Sequence, residues 1–253
     1  MQPWEWPIPP LLYKYLPPER LGVLKDCRVR FSQRSVFDDD HELTPDVAKF
    51  GTLDEIWRFV LRKGIKLSPG LPLNVLVMLI AESPKAQAIA SEVTVKNIKS
   101  LDQIGIFCLT ESKDSEQMWT EYAGAGKGFV VGFSTAHAGF GELSSPGKLG
   151  KVSYSDEPYG TYLGILENEG VAPLFRKRMK YAFELEWRSI RTLQRLEACG
   201  GNIFLSAFDP ASVSVIIIRP ECAVETGLRQ LVATDVRYQH VKIDTVGGES
   251  LVC

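Results

Sequence analysis

Histidine is scarce in this chain. His41, His137 and His240 are the only three in 253 residues, and they do not stand at ligand spacing on one element. The five cysteines (Cys27, Cys108, Cys199, Cys222, Cys253) are odd in number, far apart and without a CxxC pair. A disulfide framework and a Cys/His zinc site are therefore both unsupported, and reduced thiols are expected. No sign of charge dominates: 29 Lys and Arg stand against 31 Asp and Glu, a net charge of −2. That excludes a broad basic footprint for duplex nucleic acid, though local basic patches remain open. Long apolar runs are missing too. The longest, Leu71 to Ala81, is too short for a bilayer-spanning helix. The opening Met1-Gln2-Pro3-Trp4-Glu5-Trp6 lacks the basic and apolar regions of a signal peptide, so a soluble, cytoplasmic protein without a membrane partner is expected. No repeat and no linker is visible, which favours one domain over 1–253.

What is present is a set of period-two segments and a 45% hydrophobic composition, enough for a sizeable core. Alternation predicts strands over 11–16 and 27–32, a short apolar run predicts one over 105–109 and a β-branched run a buried one over 213–218, with further strands over 129–133, 151–154 and 240–243. It predicts helices near 114–122, 172–181 and 227–233, and a helical insertion over about 43–100 that starts with Thr44 as N-cap and Pro45 at the first position. Strands and helices do not alternate regularly, so the expected class is α+β with a mixed, twisted sheet.

The most informative stretch is Phe183-Glu184-Leu185-Glu186-Trp187-Arg188. Read as a strand, it puts Phe183, Leu185 and Trp187 on one face and Glu184, Glu186 and Arg188 on the other. Two carboxylates at i, i+2 raise each other's pKa unless a cation is near. Such a row suits hydroxyl binding or a developing positive charge; a solvated face neutralised by Arg188 is the plain alternative. Arg28, Arg30 and Ser32 share a strand face that would suit a pyrophosphate. Trp119 and Tyr122, three apart, share a helix side and could stack on a base or pack in the core. The run Asp38-Asp39-Asp40 with Glu42 could hold a hard cation or be a solvated loop. Gly124-Ala125-Gly126-Lys127-Gly128 fails the phosphate-loop spacing and joins helix to strand, so it reads as a helix C-cap and turn.

Taken in order, Leu12-Tyr13-Lys14-Tyr15, Arg30-Phe31-Ser32, Phe37-Asp38-Asp39 with Glu42, Cys108-Leu109-Thr110-Glu111, Met118-Trp119 with Tyr122, Lys127-Gly128-Phe129 with Gly132-Phe133, Val152 with Tyr154, and Glu184-x-Glu186-Trp187-Arg188 resemble the bacterial domain-of-unknown-function family 2971. The acidic stretch departs from that pattern at Asp38, Asp40 and His41. A weaker resemblance is to ADP-ribosyltransferases: an early basic strand, an Arg-Phe-Ser strand and a late Glu-x-Glu. It implies an ADP-ribosyltransferase-like fold and NAD as substrate, with a macromolecular acceptor left open and a role in bacterial stress response or defence. Glu184, Glu186 and Tyr122 would be catalytic, while Lys14, Tyr15, Arg30, Ser32, Trp119, Tyr154 and Arg188 would hold the dinucleotide. NAD hydrolysis needs the same parts. Glu186→Gln is expected to stop turnover and, by removing repulsion with Glu184, to leave the fold intact. A metal-dependent nuclease-type toxin and a non-catalytic nucleotide-binding sensor are the rival readings.

Overall fold

The computed structural model describes residues 3–37, 47–49, 51–62, 75, 82–85, 88, 92, 99–137, 148–157, 160–161, 163 and 171–247. Its strands are β1 (Leu11–Leu16), β2 (Arg28–Gln33), β3 (Val47–Lys49), β4 (Ile104–Thr110), β5 (Phe129–Ser134), β6 (Lys148–Lys151), β7 (Ser153–Tyr154), β8 (Gly160–Thr161), β9 (Arg176–Lys177), β10 (Glu186–Thr192), β11 (Glu197–Ala198), β12 (Phe204–Ala207), β13 (Val213–Ile218) and β14 (Lys242–Thr245). The α-helices are α1 (Gly22–Asp26), α2 (Leu53–Arg62), α3 (Glu116–Tyr122) and α4 (Glu225–Thr234). The class is α+β, with one ten-stranded, unclosed sheet that is antiparallel except where β13 meets β14. Among the described residues no helix is long and apolar enough to cross a membrane.

The sheet forks at β4. β10 pairs with β4 along its whole length, from Glu186 opposite Thr110 to Thr192 opposite Ile104. The other edge of β4 has two takers. β2 pairs at Ser32–Ile106 and Gln33–Gly105, and β1 pairs at Tyr13–Thr110. Extending both antiparallel ladders would set Tyr15 and Arg30 against the same residue, Cys108, so the two strands must splay. One arm continues through β1, β5, β13 and β14, the other through β2, β12 and β11.

Period two then sorts the faces. Trp187, Leu109, Phe107, Phe31, Val29, Leu12, Leu16 and Phe133 lie in one core cluster, closed by Leu228 of α4 and by Tyr238. Glu186, Thr110, Cys108, Ser32, Arg30, Tyr13 and Tyr15 alternate with them and point the other way. That second face is covered by α3 and by the segment 171–185.

Several boundaries differ from the sequence reading. Residues 172–181 are not a helix: Ala172–Phe175 is a 3₁₀ turn, Arg176–Lys177 pairs with β7, and Met179–Glu184 is a second 3₁₀ stretch. The late strand begins at Glu186 rather than Phe183. Leu185 is left-handed (φ 44°), and its N–H closes the preceding turn on Ala182. The strand predicted over 151–154 is two, β6 and β7. The helical insertion lies largely outside the described residues, as do the acidic loop 38–42 and the Thr44-Pro45 start; within it, Val47–Lys49 is a strand and α2 is helical. The cap of α2 is Thr52, which accepts from the Glu55 N–H at 3.3 Å while Glu55 accepts from the Thr52 N–H at 2.7 Å, a capping box. In α3 the cap is Ser115, one residue past Asp114.

The glycine-rich turn after α3 is a C-cap, as its order implied. Gly124, Ala125 and Gly126 have positive φ, and the N–H groups of residues 125, 126, 127 and 128 all bond to carbonyls of 119–124. None of these four N–H groups is left to cradle a phosphate. Gly128 has no room for a side chain, since a Cβ there would stand 2.1 Å from the Leu16 carbonyl and 2.9 Å from that of Ala123. Gly128→Ala should therefore destabilise the fold by about 3 kcal/mol. Urea denaturation checks this, and a loss below about 1 kcal/mol would refute the packing described.

Candidate functional site

The fork leaves an opening between β1 and β2, and the Cys108 carbonyl lies in it. Lys14 Nζ donates to that oxygen at 2.9 Å and sits 5.4 Å from the centre of the Phe107 ring. Lys14 belongs to the core side of β1 by periodicity, but at the fork its long side chain reaches the gap. Around this point is a cavity of about 300 Å³, lined by Lys14, Tyr15, Arg30, Ser32, Cys108, Thr110, Tyr122, Lys177, Tyr181, Glu184 and Glu186 among others. A second hollow of about 370 Å³ shares Lys14, Tyr15, Arg30, Ser32 and Tyr122 and extends to Val23, Val29, Phe107 and Phe133. The two hollows adjoin at these shared residues, and we treat them as the lobes of one cleft, the first holding the acids and the second more apolar.

The head is built on the left-handed Leu185. By turning the chain there, it brings the Glu184 side chain from the 3₁₀ segment to the side on which Glu186 projects from β10. Thr110 Oγ1 holds the turn from beneath, donating to the Glu184 carbonyl at 2.5 Å, and the Glu111 N–H donates to the Leu185 carbonyl at 3.2 Å. Lys177 lies between the acids. Its ammonium donates to both Glu184 oxygens, at 2.7 and 3.0 Å, and stands 3.6 Å from Glu186. Tyr122 donates to Glu184 Oε1 at 2.7 Å. Arg188 holds Glu186 with two parallel bonds, at 2.8 and 2.9 Å, and donates to the Leu174 carbonyl at 2.7 Å.

The two acids ionise differently. Burial works against the charged form of both. For Glu186 the Arg188 guanidinium and then Lys177 overcome burial and hold the carboxyl down to about 2. For Glu184 burial, reinforced by the Glu186 charge, outweighs Lys177 and Tyr122 and raises the pKa. Burial also raises the Cys108 thiol, helped by Glu186, which leaves it a poor nucleophile. Burial and the Glu184 acceptor raise the Tyr122 phenol, so it stays a donor.

Of the residues proposed from sequence, Lys14, Tyr15, Arg30, Ser32, Tyr122, Glu184 and Glu186 line the cleft together. Arg30 Nε is buried without a hydrogen-bond partner. Three do not take their expected places. Trp119 is fully buried in a cluster with Tyr15 and Val130, with Arg219 over its ring at 4.8 Å, so it is core rather than a stacking platform. Tyr154 lies behind the acids, its hydroxyl accepting from the Glu186 N–H at 2.7 Å. Arg188 is fully buried and faces Glu186 and Phe37 rather than the cavity. Lys177 was missed. The helical reading of 172–181 concealed it, and the hint available was the triplet Arg176-Lys177-Arg178, of which alternation lets only the middle member turn inward. Comparison with family models, with curated proteins and with solved structures gives no match.

The Glu186–Arg188 pair changes what Glu186→Gln is expected to do to the fold. The substitution does more than relieve repulsion with Glu184; it takes from a buried guanidinium the carboxylate that holds it by two bonds. The variant should lose about 3–5 kcal/mol at neutral pH. The pH dependence follows from the lowered pKa: Glu186 contributes its full stabilisation above the ordinary 4.5 and loses it as pH falls through about 2. Wild-type stability should fall across that window, the gain from Glu184 taking up its proton coming above 4.5 because its pKa is raised, and the variant should be flatter between 4.5 and 2. Urea midpoints measured from pH 7 to pH 2 test this; parallel curves would contradict it.

Proposed function

We propose that the cleft binds NAD and breaks its nicotinamide N-glycosidic bond, the reaction that the resemblance to ADP-ribosyltransferases implies. The observation that carries the reading is the charge arrangement. Three cations (Lys14, Arg30, Lys177) line the cavity with two carboxylates (Glu184, Glu186), and Arg188, buried behind them, pairs with Glu186. Lys177 and Arg188 offset the acids at the head, which leaves Lys14 and Arg30 on the other wall for an anion. A pyrophosphate carries two negative charges and matches that wall. The nicotinamide ribose would then lie toward Glu184 and Glu186, and the adenosine half toward the apolar lobe. Positive charge grows on C1′ as the glycosidic bond lengthens, and a fixed anion beside it lowers the barrier. Glu186 is the acid held ionised. Glu184, with the higher proton affinity, is suited to accept a proton from the incoming nucleophile.

One observation favours a second reading, a nucleotide-binding module without turnover: both Glu186 oxygens are engaged by Arg188. The nuclease reading has less to rest on. Among the described residues no group of three or more His, Cys, Asp or Glu could hold a metal ion, and the acidic loop 38–42 lies outside them.

Arg30→Met should weaken NAD binding at least tenfold while the fold stays intact, because no ion pair is lost. Glu184→Gln should keep binding and reduce nicotinamide release by about 10²–10³. Calorimetry and a nicotinamide assay at equal folded concentrations measure these. Binding by wild type without any release would select the module, and no binding at all would end both readings.

A further inference from the structure

Given NAD cleavage at this cleft, which rests on the reading above, we infer that the acceptor is water and that the chain is an NAD hydrolase rather than a protein-modifying transferase. Transfer to a macromolecule needs a protein or nucleic-acid nucleophile at C1′, with its proton passing to a carboxylate. Among the described residues the carboxylates lining the head are Glu184 and Glu186, and they are 4% and 3% exposed. Tyr122 and Lys177 hold Glu184 in place, and Lys177 is itself only 9% exposed. Thr110, 2% exposed, closes the space beneath. The acids are therefore at the floor of the cleft and not on its rim.

Size points the same way. The head lobe, at about 300 Å³, is at the small end of ligand pockets, and a water takes about 30 Å³. Such a space matches a nicotinamide ribose with a water, and a polypeptide side chain would have to reach past the ribose to meet Glu184. An arginine acceptor meets a further obstacle, because the cavity is also lined by Lys14 and Arg30.

The step balances without a further reagent. The bond from the nicotinamide nitrogen to C1′ breaks, and its electron pair leaves with nicotinamide, which becomes neutral. A water oxygen bonds to C1′, and its proton goes to the Glu184 carboxylate. The products are ADP-ribose, nicotinamide and one proton. Tyr122, 39% exposed, links Glu184 to solvent and orients it as a positioning residue.

The test uses the full chain and NAD labelled in the adenylate, alone, with added bacterial lysate protein, and with methanol. Expected are nicotinamide and free ADP-ribose in equal amounts, no label on protein, and methyl ADP-ribose when methanol competes with water. Tyr122→Phe should slow hydrolysis and move the acid limb of the pH–rate profile upward, because Glu184 loses a donor that favours its ionised form. Nicotinamide release with label on macromolecules, or release only when macromolecules are present, would overturn hydrolysis and leave NAD cleavage standing. No release under any condition would overturn both.

Discussion

A strand has two edges, and β4 has three partners. With β10 along one edge, β1 and β2 must divide the other, and the division places the cleft. The contest at Cys108 cannot be settled by either ladder, so the carbonyl there would be left without a strand partner. A buried or half-buried carbonyl in that state is costly, and Lys14 removes the cost. The same ammonium thereby becomes a fixed charge at the junction of two hollows. Position, polarity and depth of the site all follow from one topological conflict.

Upon that frame sits a cluster that no pair of its members could sustain alone. Glu184 and Glu186 would repel strongly with burial this deep, and neither Lys177 nor Arg188 would remain buried without them. The assignment of partners is unequal. Arg188 binds one acid through a planar fork, which fixes that acid in its charged state. Lys177 is shared, and the acid it chiefly holds retains a higher proton affinity. Two chemically identical side chains, two residues apart, are made different by which cation each receives and in what geometry.

Much of the sheet was legible from alternation. β1, β2, β4, β5 and β13 lie within a residue or two of their predicted spans, β1 and β2 because they alternate and β4, β5 and β13 because their apolar runs are buried along most of their length. Where local pattern and tertiary pairing disagree, pairing prevails. Arg176–Lys177 became a strand because β7 offered a ladder, against helical spacing on either side. Leu185 is invisible to periodicity, since an exposed leucine in the left-handed region is disfavoured locally and is held only by the contacts on both sides of it. The candidate site was legible to the extent that its members lie on predicted strand faces, as Arg30, Ser32 and Glu186 do. Trp119 and Tyr154 share motifs with cleft residues, yet they act from behind it, one packing on Tyr15 and one on the backbone of Glu186. A motif records proximity in sequence and not the direction in which a side chain points.

The Lys14–Cys108 bond has a mechanical meaning as well. Along β10, β4 and the arms themselves, displacement is resisted by continuous ladders of backbone hydrogen bonds. Between β1 and β2 there is no ladder. A flexible four-carbon side chain spans that gap, and rotation about its bonds can follow a change in spacing that a ladder could not. The molecule is consequently stiff in two directions and compliant in a third, and the compliant one is the width of the cleft. A ligand whose charges draw Lys14 and Arg30 together would deform the protein along its softest axis.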